Sequence, residues 1–132
     1  MPSPAYTPQP VLTAADAIAT HVRWKITLLL AARMHEPLSE RATRSIERPE
    51  ECKIHTWLVS EYARRLSGTP EYKAVCDLHL AFHGAMRQIA VLLNSGDYDL
   101  AERLLNSPEP FQNASSALAN AIMALDRRAA RA

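Results

Sequence analysis

The stretch EYKAVCDLHLAFHGAMRQIAVLL, residues 71–93, carries two histidines on the apolar face of a predicted helix. Apolar side chains recur here every three or four residues, which is the spacing of one helix face. His79 and His83 are four residues apart within this stripe, so both rings project to one side. Two neutral imidazoles are costly to bury side by side unless they share a partner. The pair therefore suggests metal ligands, although a lone histidine on such a face usually only packs.

The composition of the whole chain predicts an all-α domain. Its 132 residues suffice for one domain core, 48% of them are hydrophobic, and only three are glycine. Alternating apolar and polar runs of the β type are absent from the sequence. Lys and Arg total 15 against 14 Asp and Glu, which gives a formal net charge of +1. Because no bulk charge favours them, we expect neither a nucleic acid nor a membrane as partner.

The cysteines and the apolar runs indicate a cellular location. Cys52 and Cys76 occur in a chain without a recognisable signal peptide, so we expect reduced thiols rather than a disulfide framework. The longest apolar run is too short to span a bilayer. These features predict a soluble, cytoplasmic protein.

Proline and capping signals divide the chain into a leader, four principal helices and a tail. Residues 1–12 are rich in proline and lack periodicity, so they predict an extended or disordered leader. Residues 38–48 are charged and weakly amphipathic, so they predict a connector with a short helix, and residues 128–132 form a basic tail. The principal helices are expected at about residues 13–36, 49–66, 70–94 and 97–127.

Short connections between these helices predict an antiparallel four-helix bundle over residues 13–127. Thr13 with Asp16 resembles a capping box at the start of the first helix. The last helix is expected to be kinked or broken at Pro108 and Pro110, with apolar residues seven apart continuing one stripe across the break.

A bundle brings side chains from different helices to one level of its core, which gives the histidine pair candidate partners. His21 lies in the apolar stripe of the first helix. His35 is 14 residues further on, which is roughly 21 Å along a helix axis, so these two cannot serve one site and we expect His35 at the surface. Helix geometry leaves three further candidates open: Cys52, His55 and Cys76. Three nitrogens and one thiolate would make a tetrahedral set that suits zinc.

Three sequence boxes together resemble the chemoreceptor zinc-binding (CZB) domain family. The boxes are His21-x-x-Trp24-Lys25, Cys52-x-Ile54-x-x-Trp57-Leu58 and His79-x-x-Phe82-His83. They are similar to the family pattern of a histidine in the first helix, a Cys-x-Leu-Gly-x-Trp box and a His-x3-His pair, over about residues 14–125. The resemblance implies a small helical bundle, usually a homodimer, with zinc (Zn2+) as cofactor. The implied ligands are His21, Cys52, His79 and His83, with Cys52 rather than Cys76 as the thiol.

The chain departs from the family box at His55, where the family usually has glycine. Three interpretations of this residue are open: a solvent-facing substitution, a hydrogen-bond partner of the site, or a competing ligand. Trp24 and Trp57 are interpreted as packing residues that shield the site, because tryptophan has no ligand chemistry here.

Four protein ligands would close the zinc shell, so the sequence predicts a binding and sensing module rather than an enzyme. The resemblance implies a response to zinc or to oxidants such as hypochlorous acid, with Cys52 as the redox switch. It also implies a signalling effector of the chemoreceptor or diguanylate cyclase type, and therefore a role in chemotaxis or cyclic-di-GMP signalling. The chain contains neither effector, so we expect a stand-alone member that associates with one, or the sensor part of a longer protein.

Two other functions are open. An iron-binding helical bundle would also use histidines, but the Glu-x-x-His spacing of di-iron bundles is missing. A metal-free interaction or dimerisation module would use the histidines only for packing. Metal analysis of the purified protein distinguishes these functions from a zinc site.

Overall fold

A computed structural model describes residues 12–132, and every regular element within them is helical. The all-α prediction is therefore confirmed, and the predicted leader lies outside the described residues except for Leu12. A 3-10 turn at Pro49–Glu51 and a π turn at Pro108–Gln112 join the α-helices. The helices are α1 (Ala14–Arg33), α2 (Glu40–Glu47), α3 (Lys53–Leu58), α4 (Glu61–Arg64), α5 (Pro70–Asn94), α6 (Tyr98–Asn106) and α7 (Asn113–Arg131).

The first helix, α1, begins at the predicted capping box and ends earlier than expected. The Asp16 N–H donates to the Thr13 hydroxyl at 3.2 Å, and the Thr13 N–H donates to the Asp16 carboxylate at 2.9 Å. The helix ends at Arg33, short of the predicted Glu36. The reason is that the chain enters the left-handed region at His35, where φ is 53°, and this conformation cannot continue a right-handed helix.

The predicted second helix over residues 49–66 is wrong, because the chain forms three short helical pieces there. The breaks lie at Cys52 and Ser60, whose backbones are extended, with ψ of 146° and 153°. The hydroxyl and the N–H of Ser60 both donate to the carbonyl of Trp57, so this carbonyl is satisfied without continuing the α-helix beyond α3. The proline and acids at residues 49–51 are typical of a helix start, and helical spacing continues from Cys52 across Ser60, which is why the sequence predicts one continuous helix.

The longest helix, α5, packs against α1, α2, α3, α6 and α7. The Thr69 hydroxyl caps its start by accepting from the Tyr72 N–H at 3.3 Å, and Pro70 occupies the first turn. Its end is closed by Gly96, whose φ of 83° favours glycine. The buried face of α5 contains both predicted histidines and a run of apolar residues: Val75, His79, Phe82, His83, Met86, Ile89 and Leu93.

The last predicted helix is divided at its prolines into α6 and α7, as expected. Glu109 between the prolines is extended, with φ −108° and ψ 144°. The helix α7 continues through the basic end to Arg131, and Arg128 forms an ion pair with Glu71 of α5 at 2.9 Å. The core lies among α1, α5, α6 and α7 and is extended by buried residues of α2, α3 and α4, while the antiparallel four-helix arrangement stays a prediction. In the described part of the chain, no helix has the length and apolar character needed to cross a membrane.

Candidate metal centre

Cys52, His79 and His83 meet between the start of α3 and the middle of α5, and we refer to them as the Cys–His–His group. One ligand atom of each residue lies within 4.8 Å of the other two. The two imidazole rings are centred 4.7 Å apart and meet edge to face, at 84°. Both histidines are buried, with 3% and 0% exposure, whereas Cys52 is half-buried. The fold thus brings together one sulfur and two nitrogen donors.

The helix α2 fixes the orientation of His83. The Nδ1 atom of His83 lies 2.8 Å from the backbone oxygen of Ile46, a fully buried residue of α2. Because a carbonyl only accepts hydrogen bonds, Nδ1 carries the proton in the neutral ring and Nε2 has the free lone pair. Nε2 is buried and has no hydrogen-bond partner among the described residues. This tautomer is the one that a metal ligand bound through Nε2 requires.

His79 is held neutral by its surroundings. Burial is the main cause that lowers its pKa to about 4, and the neighbouring charges of His83 and His55 lower it further. Burial also lowers the pKa of His83, against the opposing effect of the Ile46 carbonyl. The Nε2 atom of His79 is likewise buried without a hydrogen-bond partner within residues 12–132. Both imidazoles are therefore neutral at pH 7 and available to a cation.

The extended backbone at Cys52 separates the 3-10 turn from α3 and places the sulfur at the first turn of α3. Burial raises the pKa of this thiol, and the backbone N–H groups of Ile54, His55 and Lys53 partly oppose the rise. These N–H groups belong to the positive end of a helix, which favours a thiolate. A bound metal ion would supply the further positive charge that deprotonation needs.

The chemistry of these donors fits a metal ion. Each buried nitrogen without a partner costs about 1–3 kcal/mol, and one cation between the rings would satisfy both nitrogens. A mixed nitrogen and sulfur set suits zinc better than magnesium or calcium, which prefer oxygen ligands. The Cys–His–His group can therefore hold an ion that accepts nitrogen and sulfur ligands.

His21, the predicted fourth ligand, lies in the same region of the core but outside the group. It is buried on α1, and its ring meets the ring of Phe82 edge to face, with centres 5.6 Å apart. Its Nδ1 has no hydrogen-bond partner in the described part of the chain, and burial lowers its pKa. Neither of its nitrogens lies within 4.8 Å of the ligand atoms of all three other residues. Its role as a ligand stays a prediction.

The other residues named from the sequence surround the group in different ways. His55 is half-buried in α3 and close enough to His79 for its charge to lower that pKa, but it does not join the group. Trp57 is fully buried, whereas Trp24 is half-buried and lines a cleft together with Cys52. Each tryptophan contacts the core, as a packing residue should.

Cys76 and His35 lie away from the Cys–His–His group. Cys76 is half-buried and lines a separate cleft beside the start of α5. His35 is exposed, as predicted, and stacks on the ring of Tyr98 with centres 5.1 Å apart. The sequence did not reveal Ile46 as the partner of His83, because a backbone carbonyl is present in every residue. The only signal was the presence of a large apolar residue, Ile46, near the end of a charged connector.

No family model, no curated protein and no solved structure matches the chain. Membership of the CZB family therefore stays a prediction that rests on the three sequence boxes.

Proposed function

We propose that this chain is a zinc-binding regulatory module. The observation that carries the proposal is the buried Cys–His–His group, in which two imidazole nitrogens lack partners among the described residues. Three such donors bind zinc in many proteins, and a fourth ligand completes a structural site. We propose His21 for that position, because it is buried nearby with an unpartnered nitrogen of its own.

A regulatory role follows from where the ligands lie in the chain. Cys52 precedes a six-residue helix between two backbone breaks, whereas His79 and His83 belong to the long helix α5. Zinc would hold the short segment against α5, and its binding free energy would add to the stability of that contact. Oxidation of Cys52 would remove a strong ligand and release the segment. An effector of the chemoreceptor or diguanylate cyclase type, fused or associated, would respond to this change in the cytoplasm.

Metal analysis of the purified chain tests the proposal against its alternatives. We expect one zinc per chain, and cobalt substitution should give the charge-transfer absorption of a thiolate ligand. That absorption should disappear in Cys52→Ala and persist in Cys76→Ala. Bound iron would support the iron-binding alternative, and a folded protein that binds no metal would support a metal-free module.

We propose binding rather than catalysis because a fourth protein ligand leaves no position for a water molecule. In cobalt-substituted protein, the visible spectrum should not change between pH 6 and pH 9 if His21 completes the shell, because a bound water titrates near neutral pH. His21→Ala should introduce a pH-dependent spectrum. A pH-dependent spectrum in the unmodified protein would contradict the closed shell.

We propose a homodimer, with a second copy of the chain packed on α1. Exposed apolar side chains lie four residues apart along this helix and at the residue that caps its end: Val22, Ile26, Leu30 and Met34. Such a stripe can pair with itself about a two-fold axis. Light scattering should show a dimer that Ile26→Glu converts to a monomer, whereas Val91→Glu on exposed α5 surface should not. This stripe is also the observation that favours the metal-free dimerisation alternative.

A further inference from the structure

A cleft of about 470 Å³ opens between α1, α2 and the start of α3, and we call it the basic cleft. Its volume lies within the range of sites for small organic molecules. Three cationic side chains line it, Arg23, Arg41 and Lys53, and the indole of Trp24 contributes a flat apolar surface. The walls also carry hydroxyl groups from Thr20, Thr27, Ser39 and Ser45.

The positive charge of the basic cleft is not neutralised by ion pairs. None of its three cations lies within ion-pair distance of a carboxylate in residues 12–132, and residues 1–11 contain no Asp or Glu. Glu51 also lines the cleft, but it is paired with Arg48 at 3.4 Å. Asp16 lies close enough to Lys53 and Arg23 for their charges to help lower its pKa, so its carboxylate offsets part of their positive charge. The three cations outnumber the carboxylates of Glu51 and Asp16, so the cleft keeps a net positive charge in a chain of nearly neutral charge.

We propose that the basic cleft binds a small organic anion, a carboxylate or a phosphate attached to a flat ring. Arg41 and Lys53 supply charge-assisted hydrogen bonds to the anionic group, and Arg23 adds a third positive charge. The ring lies on Trp24, where aromatic contact adds to affinity. A neutral or cationic molecule of the same shape gains no such attraction, so charge determines which ligands bind.

The position of the cleft connects this ligand to the Cys–His–His group. Cys52 lines the cleft, whereas His79 and His83 are buried. A ligand in the cleft would therefore cover the sulfur and control which reagents reach it. This control of the thiol deepens the proposed zinc function, but anion binding itself does not rest on that function and is measured without metal.

Calorimetric titration of the zinc-free full chain tests the binding. The probes are phenyl phosphate, benzoate, inorganic phosphate and the neutral benzamide. We expect saturable one-to-one binding of phenyl phosphate or benzoate, and whichever binds tighter identifies the anionic group. Inorganic phosphate should bind about fivefold more weakly because it lacks the ring, and benzamide should not bind.

Charge-neutralising variants locate the site. Arg41→Gln and Lys53→Gln should each weaken the binding of the tighter aromatic anion by about tenfold. Arg44→Gln removes the same charge from an exposed position on α2 outside the basic cleft, so it should leave binding unchanged. The proposal would be overturned if Arg44→Gln lost as much anion affinity as the variants at positions 41 and 53. Benzamide binding as tight as that of the anions would overturn it too.

The covering of the thiol is measured separately. In the zinc-free Cys76→Ala variant, a saturating aromatic anion should slow alkylation of Cys52 by neutral iodoacetamide about fivefold or more. An unchanged rate would overturn the placement beside Cys52. Failure to bind zinc with normal anion titrations would contradict the zinc function alone, so the two failures are distinguishable.

Discussion

Cys52 and Cys76 are alike in their burial and differ in their neighbours. Both are half-buried, and burial raises the pKa of each thiol. Cys76 lies three residues before His79 in the same helix, yet it lines a separate cleft. Cys52 is distant from His79 in sequence, but its sulfur lies near that ring because the helix is interrupted at Cys52. A break in helix geometry can therefore bring a distant thiol to a site that a nearer thiol on a regular helix does not join.

The largest expected effect is on zinc affinity when each thiol is removed. Cys52→Ala should lower the affinity by about a hundredfold or more, because it removes a thiolate ligand and not a residue around it. Cys76→Ala should change it less than about threefold. Competition with a chromophoric chelator at pH 7 measures both. Equal losses, or a larger loss for Cys76→Ala, would mean that the comparison has the wrong thiol.

The parts of this site that the sequence predicted are local in origin. The pair His79 and His83 follows from helical spacing, and the start of α5 follows from Thr69 and the proline after it. The break at Cys52 does not, because Pro49 and the two acids after it are typical of a helix start, whereas the structure has a 3-10 turn there and α3 begins only after Cys52. The resemblance named Cys52, but the orientation of His83 by a backbone carbonyl of α2 required the structure.

The next effect tests whether the neighbours of Cys52 behave as buried neutral histidines. The pKa of His79 is about 4 in the fold, against 6.5 ordinarily, so the unfolded chain binds protons first on acidification. The free energy of unfolding is therefore not reduced by His79 above pH 6.5, and it falls as the pH drops from 6.5 toward 4. This lowers the free energy of unfolding of the zinc-free protein by about 3 kcal/mol.

Urea unfolding at pH 7, 5.5 and 4 measures this loss. His79→Leu should reduce the pH dependence, because it removes the buried titrating group without opening a large cavity. As a control, His35→Gln replaces an exposed histidine and should show the same pH dependence as the parent protein. The same pH dependence in His79→Leu as in the parent would show that other groups cause the loss.

A smaller effect is expected at His55, which lies beside Cys52 but outside the Cys–His–His group. His55→Gly should lower zinc affinity by less than about tenfold, through a weaker α3 and altered surroundings of His79 rather than through a lost ligand. Chelator competition again measures the change. A loss as large as that of Cys52→Ala would identify His55 as a ligand and would leave His21 without that role.

The smallest effects are expected from removing two helix caps, one on α2 near the Cys–His–His group and one on α5 near Cys76. The Ser39 hydroxyl accepts from the Ala42 N–H at 3.1 Å and caps α2, whose Ile46 orients His83. The Thr69 hydroxyl caps α5 close to Cys76. Ser39→Ala and Thr69→Ala should each lower the free energy of unfolding of the zinc-free protein by about 1 kcal/mol.

Only Ser39→Ala should also lower zinc affinity, by about threefold, because a frayed α2 holds the Ile46 carbonyl less firmly against His83. The two caps have the same chemistry and the same expected effect on stability, so a general loosening of the fold would reduce zinc affinity equally in both variants. Equal reductions would therefore show that zinc binding depends on the whole fold. A reduction confined to Ser39→Ala would show that α2 orients a ligand.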